Sequence, residues 1–352
     1  MPLRLRERSL AFRASSDTFA SCHAATLLAL PEGRLLLACF AGSGEGKDDS
    51  AIWLALRGPG GWETPRRLFA EAGLPHWNPV LHADGVRLLL FYKVGADVQR
   101  WTTRVSESQD GGESWSAPRP LVAGDARPRG PVKNKLLALE NGDWLAPNSV
   151  EAATAWDASV DISTDRGAHW QLAPVPLAHP AATAPPADTA SRWPGLAAQQ
   201  LWENDPARVF SWDGVIQPSL WQSGPERVHM LLRSTRGTIY RSDSADAGRH
   251  WCAAYATDLP NNNSGLDLVR ADGALVLACN PVRGNWGRRT PLALLASADN
   301  GASWPERFVV KDGEGEFSYP AIVTDGTSLH LAYTIDRRAI AYAHFELAPW
   351  AP

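Results

Sequence analysis

Short runs of apolar or alternating residues recur along the whole chain, among them RLLLFYKVG (87–95), RVHMLLRST (227–235) and RFVVKD (307–312). Their period of two and their length predict β-strands rather than helices. Several run into one pattern, Ser-x-Asp-x-Gly-x-x-Trp. It is met at Ser108–Trp115 (SQDGGESW), Ser163–Trp170 (STDRGAHW), Ser244–Trp251 (SADAGRHW) and Ser297–Trp304 (SADNGASW). The closing tryptophans lie 55, 81 and 53 residues apart, so the basic unit is near 54 residues and one copy carries an insertion. A period of about 40–50 residues is that of a four-stranded propeller blade. In such a box the aspartate bonds the backbone N–H groups of a turn, the glycine takes positive φ, and the tryptophan fills space between neighbouring sheets.

Counting outward from the boxes gives six units, roughly 20–70, 76–122, 131–173, 212–256, 263–310 and 317–348. The first replaces the box by GGWETP (60–65), and the last is short enough to need a strand from RLRERSLAFRA near the N-terminus. The predicted fold is all-β: a six-bladed β-propeller of four-stranded antiparallel blades with Asp-box hairpins, in which ring closure removes exposed sheet edges. Residues 1–352 are read as one propeller domain with an Ala/Pro-rich inserted loop at about 171–205, where periodicity stops.

Charge narrows the partners. Thirty-four basic and 38 acidic residues leave a net charge of −4 without a block of one sign, which speaks against nucleic acid or an anionic membrane and toward a neutral or small anionic ligand. Neither a signal-peptide core nor a run of the roughly 20 apolar residues that span a bilayer is present, so the expectation is a soluble, cytoplasmic protein. Cys22, Cys39, Cys252 and Cys279 lie far apart and read as buried thiols. The boxes lack the alternating oxygen ligands of a calcium loop and the histidines form no HxxxH pair, so no metal is expected. No P-loop, dinucleotide fingerprint or GxSxG elbow implies a cofactor. Sixteen tryptophans against six tyrosines and nine phenylalanines offer flat faces for a sugar as well as packing. Trp77, Trp101 and Trp286 lie outside the boxes and are candidates for stacking. The sequence fixes no oligomeric state.

The four boxes resemble the Asp-boxes of the sialidase superfamily, also called bacterial neuraminidase repeats. The chain is similar in particular to sialidase-annotated, intracellular-looking propeller proteins through DDSAIWLA (48–55), HWNPVLH (76–82), LLFYKVG (89–95), PVKNKLLALENG (131–142), NNNSGLDLV (261–269) and FSYPAIV (317–323). The resemblance implies a six-bladed propeller acting on an acidic carbohydrate. It also implies a carboxylate clamp of arginines, a tyrosine nucleophile paired with a glutamate, and an aspartate acid. A guanidinium fork matches a carboxylate, and a phenol activated by a carboxylate avoids setting an anionic nucleophile beside an anionic substrate. Tyrosine-nucleophile sialidases are a known exception to the two-carboxylate scheme.

Residue by residue, Arg233 in MLLRS and Arg289 in RRTPLALLAS match two arginines, Tyr319 in FSYPAIV matches the nucleophile, and Asp49 in GEGKDDSAIW matches the acid, with Glu45 its competitor in the same loop. Two positions depart: His23 in SCHAAT stands where an arginine is expected, and Gln217 in VIQPSLW stands where the tyrosine's glutamate is expected. Glutamine orients a phenol but cannot take its proton, and Glu151 is the candidate replacement. Further substrate contacts are assigned to Lys133 and Lys135 on one face of KNK, and to Asn78, Asn263, Asp267 and Asn280 in polar loops; each is alternatively a solvated or turn-capping group. The leading expectation is a sialidase-like hydrolase of a terminal sialic or related 2-keto sugar. The alternatives are a uronic-acid lyase, with His23 or Tyr319 as base, and a non-catalytic propeller that binds acidic sugars.

Overall fold

A computed structural model describes residues 3–180, 202, 203 and 205–347. Among the described residues the strands form six antiparallel units that follow one another in sequence. The first pairs Ser21–Ala29, Leu35–Gly42 and Ala51–Gly58 with short outer strands Gly61–Trp62 and Arg66–Phe69. The second is His76–Asp84, Arg87–Val94, Thr102–Ser108 and Arg119–Pro120. The third is Leu137–Ala138, Trp144–Glu151, Ala155–Ser163 and Gln171–Pro174, and the fourth is Asp213–Gly224, Arg227–Ser234, Thr238–Ser244 and Tyr255–Pro260. A two-residue parallel pairing, Ala155 with Asp213 and Trp156 with Gly214, joins these two. The fifth is Asp267–Ala271, Ala274–Cys279, Leu292–Ser297 and Glu306–Lys311. In the sixth, Phe317–Thr324, Ser328–Ile335 and Ala339–Leu347 take Leu3–Arg13 from the opposite end of the chain as their outer strand, as the short last repeat required.

The core is divided among the gaps between units. Separate clusters join the first and second units (Phe40, Ile52, Leu81, Leu90), second and third (Phe91, Val105, Trp144), third and fourth (Leu145, Val160, Met230), fourth and fifth (Leu231, Leu268, Leu277), and fifth and sixth (Leu294, Leu331, Phe345). Another joins the sixth back to the first (Phe12, Leu37, Tyr342). Each box tryptophan packs at the gap its unit shares with the preceding one: Trp115, Trp170, Trp251 and Trp304 in turn.

The boxes lie between third and fourth strands, and their acids serve turns. Asp110 accepts from Ser114 N at 2.9 Å and Ser108 Oγ at 2.8 Å. Gly112, at φ 95°, donates its N–H to Ser108 Oγ, and its carbonyl accepts from Trp115 Nε1 at 3.0 Å. Asp165, Asp246 and Asp299 repeat the arrangement. Bonds from the turn, those of Ser114 foremost, hold the Asp110 carboxyl at about 2.

At the start of each unit one residue adopts positive φ: Ala24, Asn78, Lys133, Gln217, Asn263 and Tyr319. In four units it falls in a two-residue register shift of the inner strand, between His23 and Thr26, Trp77 and Val80, Ile216 and Ser219, and Ser318 and Ala321. Proline follows in three of these, at 79, 218 and 320; a bulge is where a strand tolerates a residue with no N–H to donate.

Three sequence expectations are corrected or bounded. Cys252 is exposed, unlike the other three cysteines, because it lies beyond the box at an outer turn. The supposed loop at 171–205 begins as a strand, Gln171–Pro174 paired with Ala155–Ser163, and 181–201 and 204 lie outside the described residues. Among the described residues no helix is long and apolar enough to cross a membrane.

Candidate active site

The bulge at Tyr319, φ 51°, turns a phenol from the sixth unit toward residues of the others. Its hydroxyl accepts from Arg233 Nη1 at 2.5 Å. The same Nη1 lies 3.2 Å from Gln217 Oε1, while Nε donates to Asn263 Oδ1 at 2.8 Å. Arg233 is buried with its guanidinium 5.3 Å from the ring centre of Trp156 and 5.6 Å from those of Trp286 and Tyr319, an arrangement that adds cation–π attraction to the hydrogen bonds.

A second guanidinium lies near the phenol. Arg289 is 5.4 Å from the Tyr319 ring centre and donates through Nη1 to Glu316 Oε1 at 2.7 Å, and its buried Nη2 has no partner. The other Glu316 oxygen accepts from Arg337 Nε at 3.3 Å, and Arg337 Nη1 is bonded to Glu45. Burial alone would raise Glu316, but Arg337 and then Arg289 outweigh it and hold the carboxyl at about 2. The Arg337 carbonyl accepts from Cys22 N, so this arginine stands beside His23.

His23 itself packs behind the phenol with ring centres 4.2 Å apart. Nδ1 is 2.9 Å from Thr334 Oγ1, and Nε2 is buried without a partner. Burial first, then Arg337, Arg289, Arg233 and Lys133, push it well below the ordinary imidazole value, so the ring is neutral.

Tyr319, Arg233, Arg289, Gln217, Asn78, Glu45 and Glu151 line a narrow cavity walled by Trp77, Trp101, Trp156, Trp202, Trp212 and Trp286, in which about 30 Å³ is open to the centres of water-sized molecules. Glu151 ends the strand Trp144–Glu151 and is buried. Burial raises it to about 7, opposed by Arg233 and reinforced by Glu45. It is a proton-exchanging group near neutral pH.

Sequence-selected residues thus divide. Tyr319, Gln217, Arg233, Arg289, Glu151, Asn78, Trp77, Trp101 and Trp286 line the cavity, with His23 behind the tyrosine and Asn263 orienting Arg233. Asp49 is a correction: its exposed carboxylate accepts from Ser43 N at 2.9 Å and Ser43 Oγ at 2.8 Å, outside the cavity, and Glu45 is the member of that loop that enters. Lys133, Lys135 and Asp267 are corrections too. Lys133 spends all three donors on Asn134 Oδ1, Leu266 O and Pro320 O. Asp267 accepts from Lys135, Ser219, Leu268 N and Ile322 N. The three tie four units together near their inner strands. Asn280 bonds Pro291 O and Phe317 O in the same structural manner.

Sequence reasoning passed over Arg337, Glu316, Trp156 and Trp212. The ARG–ARG pair in TIDRRAI, followed directly by the last strand, was the available sign of a tight turn, and Asp336 and Arg337 both have positive φ there. Among the described residues no cluster of His, Cys, Asp and Glu is arranged to hold a metal ion.

The family model of the BNR repeat-like domain matches residues 33–331. The chain belongs to the BNR repeat-like domain family. Known structures agree with that fold. A protein of unknown function from Dyadobacter fermentans is 14% identical with a TM-score of 0.72, over 98% of this chain and 99% of that one. The NanB sialidase of Streptococcus pneumoniae is 12% identical with a TM-score of 0.71, over 96% and 70%. The intramolecular trans-sialidase of Ruminococcus gnavus is 13% identical with a TM-score of 0.68, over 98% and 99%. At such identities the likeness of this BNR repeat-like chain to them is one of fold. Comparison with curated proteins gives no match.

Proposed function

We propose that this BNR repeat-like protein is a sialidase-like glycoside hydrolase that removes a terminal acidic sugar, sialic or a related 2-keto sugar acid, from a glycoconjugate or oligosaccharide. The six units are read as the blades of a closed six-bladed propeller forming one domain. Six inter-unit cores, the last of which joins sixth to first, support this reading.

One observation carries the chemistry: the hydroxyl of Tyr319, the guanidinium of Arg233 and the unpaired Nη2 of Arg289 meet in one tryptophan-walled cavity. Three arginines face Glu45, Glu316 and Glu151, and Glu151 is largely neutral below about 7. The balance invites one more anion, and a substrate carboxylate supplies it. With the carboxylate on Arg233 and Arg289, Tyr319 Oη bonds to the anomeric carbon as the glycosidic C–O bond breaks. Gln217 positions Arg233 and the phenol. The phenolic proton passes to Glu151 and from it to the departing oxygen; water then reverses the sequence to free the sugar.

A second reading, β-elimination from a uronic acid, is favoured by the neutral His23 with its unpartnered Nε2 beside Tyr319. The test is incubation of purified protein with a panel of α-linked 2-keto sugar acids and uronic-acid oligosaccharides. Release of free 2-keto sugar acid, lowered at least about 100-fold by Tyr319→Phe, supports hydrolysis. Ultraviolet absorbance of an unsaturated product transfers the assignment to the lyase, and saturable binding without turnover transfers it to a binding protein.

A further inference from the structure

On the fourth unit, away from the cavity, three neighbouring strands bring together a serine, a histidine and an aspartate. Trp221 faces His229 and His229 faces Asp243 across the ladder, and a register shift between Gln222 and Gly224 leaves Ser223 out of it. A bulge of this kind re-aims the side chain it releases. Ser223 is exposed and its Oγ lies 2.6 Å from His229 Nε2; His229 Nδ1 lies 2.5 Å from Asp243 Oδ1.

The tautomer follows from a neighbouring chain of bonds. The indole N–H of Trp221 only donates, and it donates to Asn300 Oδ1 at 2.8 Å. The amide nitrogen of Asn300 is therefore the atom 3.2 Å from His229 Nε2. Nε2 is therefore the acceptor, the proton sits on Nδ1 toward Asp243, and the single lone pair of Nε2 is shared between the amide at 3.2 Å and the nearer Ser223 Oγ at 2.6 Å, whose proton it can take. Asp243 is fixed as an anion: Arg241 Nε donates to it at 2.9 Å and Tyr255 Oη at 2.6 Å. Burial would raise its carboxyl, yet the bonds from His229, Tyr255 and Arg241 hold it at about 2. Arg241 Nη2, held by that bond, lies 3.2 Å from His229 Nδ1, and the imidazole stacks on Trp221 with ring centres 4.9 Å apart.

A nucleophile, a base and an orienting carboxylate in hydrogen-bond sequence are recognised by geometry and role, whatever the fold. The remaining requirement is a donor for the oxyanion. Asn300 Nδ2 and Ser223 Oγ share one imidazole nitrogen as partner, so the amide stands beside the serine, and its second N–H is not used by any described residue. A side-chain amide can fill this role.

We propose that Ser223, His229 and Asp243 form a second site, an acyl-transfer centre for small acyl esters open to solvent at the rim of the fold. Ser223 Oγ bonds to the ester carbonyl carbon while its proton moves to His229 Nε2, and the oxyanion accepts from Asn300. The ester C–O bond then breaks and His229 returns the proton to the departing alcohol. Water enters by the same route and releases the acid and the free serine.

The experiment is covalent labelling of the full chain with a fluorophosphonate reagent, followed by intact mass and peptide mapping, alongside burst kinetics with p-nitrophenyl acetate. One adduct per chain on Ser223 is expected, absent in Ser223→Ala, with the rate lowered at least about 100-fold in His229→Gln and lowered in Asp243→Asn. Because Ser223 is exposed, Ser223→Ala keeps the fold and isolates the hydroxyl even if the histidine variant unfolds. Labelling spread over other serines, or Ser223 reacting as fast in His229→Gln as in the native chain, overturns the proposal and leaves the network as a surface brace.

Discussion

Glu316→Gln tests the electrostatic base of the cavity. The native carboxylate lies between Arg289 and Arg337 and also accepts from Ser318 Oγ. Its carboxyl is moved from 4.5 to about 2, and at 1.36 kcal/mol for each pKa unit this stabilises the folded state by about 3 kcal/mol at neutral pH. That agrees with the roughly 3–5 kcal/mol lost when one partner of a buried ion pair is removed. Because the folded value is depressed, the contribution is fully present above about 4.5, the unfolded value, and is lost as the pH falls through that value toward about 2. Urea unfolding of native and variant chains, followed by tryptophan fluorescence from pH 7 down to pH 3, reads the difference directly. The gap in unfolding free energy should be about 3 kcal/mol at pH 7 and shrink steadily below pH 4.5. A gap under about 1 kcal/mol at pH 7, or one that stays constant down to pH 3, refutes the account.

Glu151→Gln has the opposite sign. The folded carboxyl sits at about 7 instead of 4.5, so the native chain loses stability relative to the variant as pH rises from 4.5 through 7, by about 3 kcal/mol in denaturant titrations, while the variant loses turnover on any substrate of the cavity. Asp267→Asn removes the charge that Lys135, two donors from other strands and the adjacent Leu268 N share, and its unfolding midpoint should fall by the equivalent of about 3 kcal/mol. Asp49→Asn, which touches only the Ser43 turn, should leave turnover and acidic-sugar affinity at native levels; a large loss in kcat would return Asp49 to the acid role.

The repeat was readable because a turn needs particular residues at fixed spacing. Asp110, Gly112 and Trp115 each do one local job, and four copies set the register of the strands between them. That register puts Arg233 and Arg289 on the strands ahead of two boxes, whereas Tyr319 was legible only through the family resemblance of FSYPAIV. Charged residues on inner strands were harder to assign. Lys133 and Asp267 carry the residue types of a ligand contact, and nothing in KNK or SGLDLV reveals that their partners are groups of the protein itself, among them backbone of other units. Arg337 escaped for the converse reason: it is brought to Glu45 and Glu316 from a turn with no box to count from. Asp49 and Glu45 differ by four positions in a glycine-rich loop, where the side chain that enters the cavity is fixed by loop geometry and not by residue type.

The six left-handed residues at the unit starts have a consequence for how such a protein changes. Ala24, Asn78, Lys133, Gln217, Asn263 and Tyr319 are distributed one to a unit; the cores that hold the units lie elsewhere, apart from the contact of Ala24 and Tyr319 with one of them. An exchange such as glutamate for Gln217 therefore alters the reagents in the cavity while leaving the packing between units untouched. Three of these six positions, Asn78, Gln217 and Tyr319, line the cavity, and its chemistry can be retooled there one residue at a time.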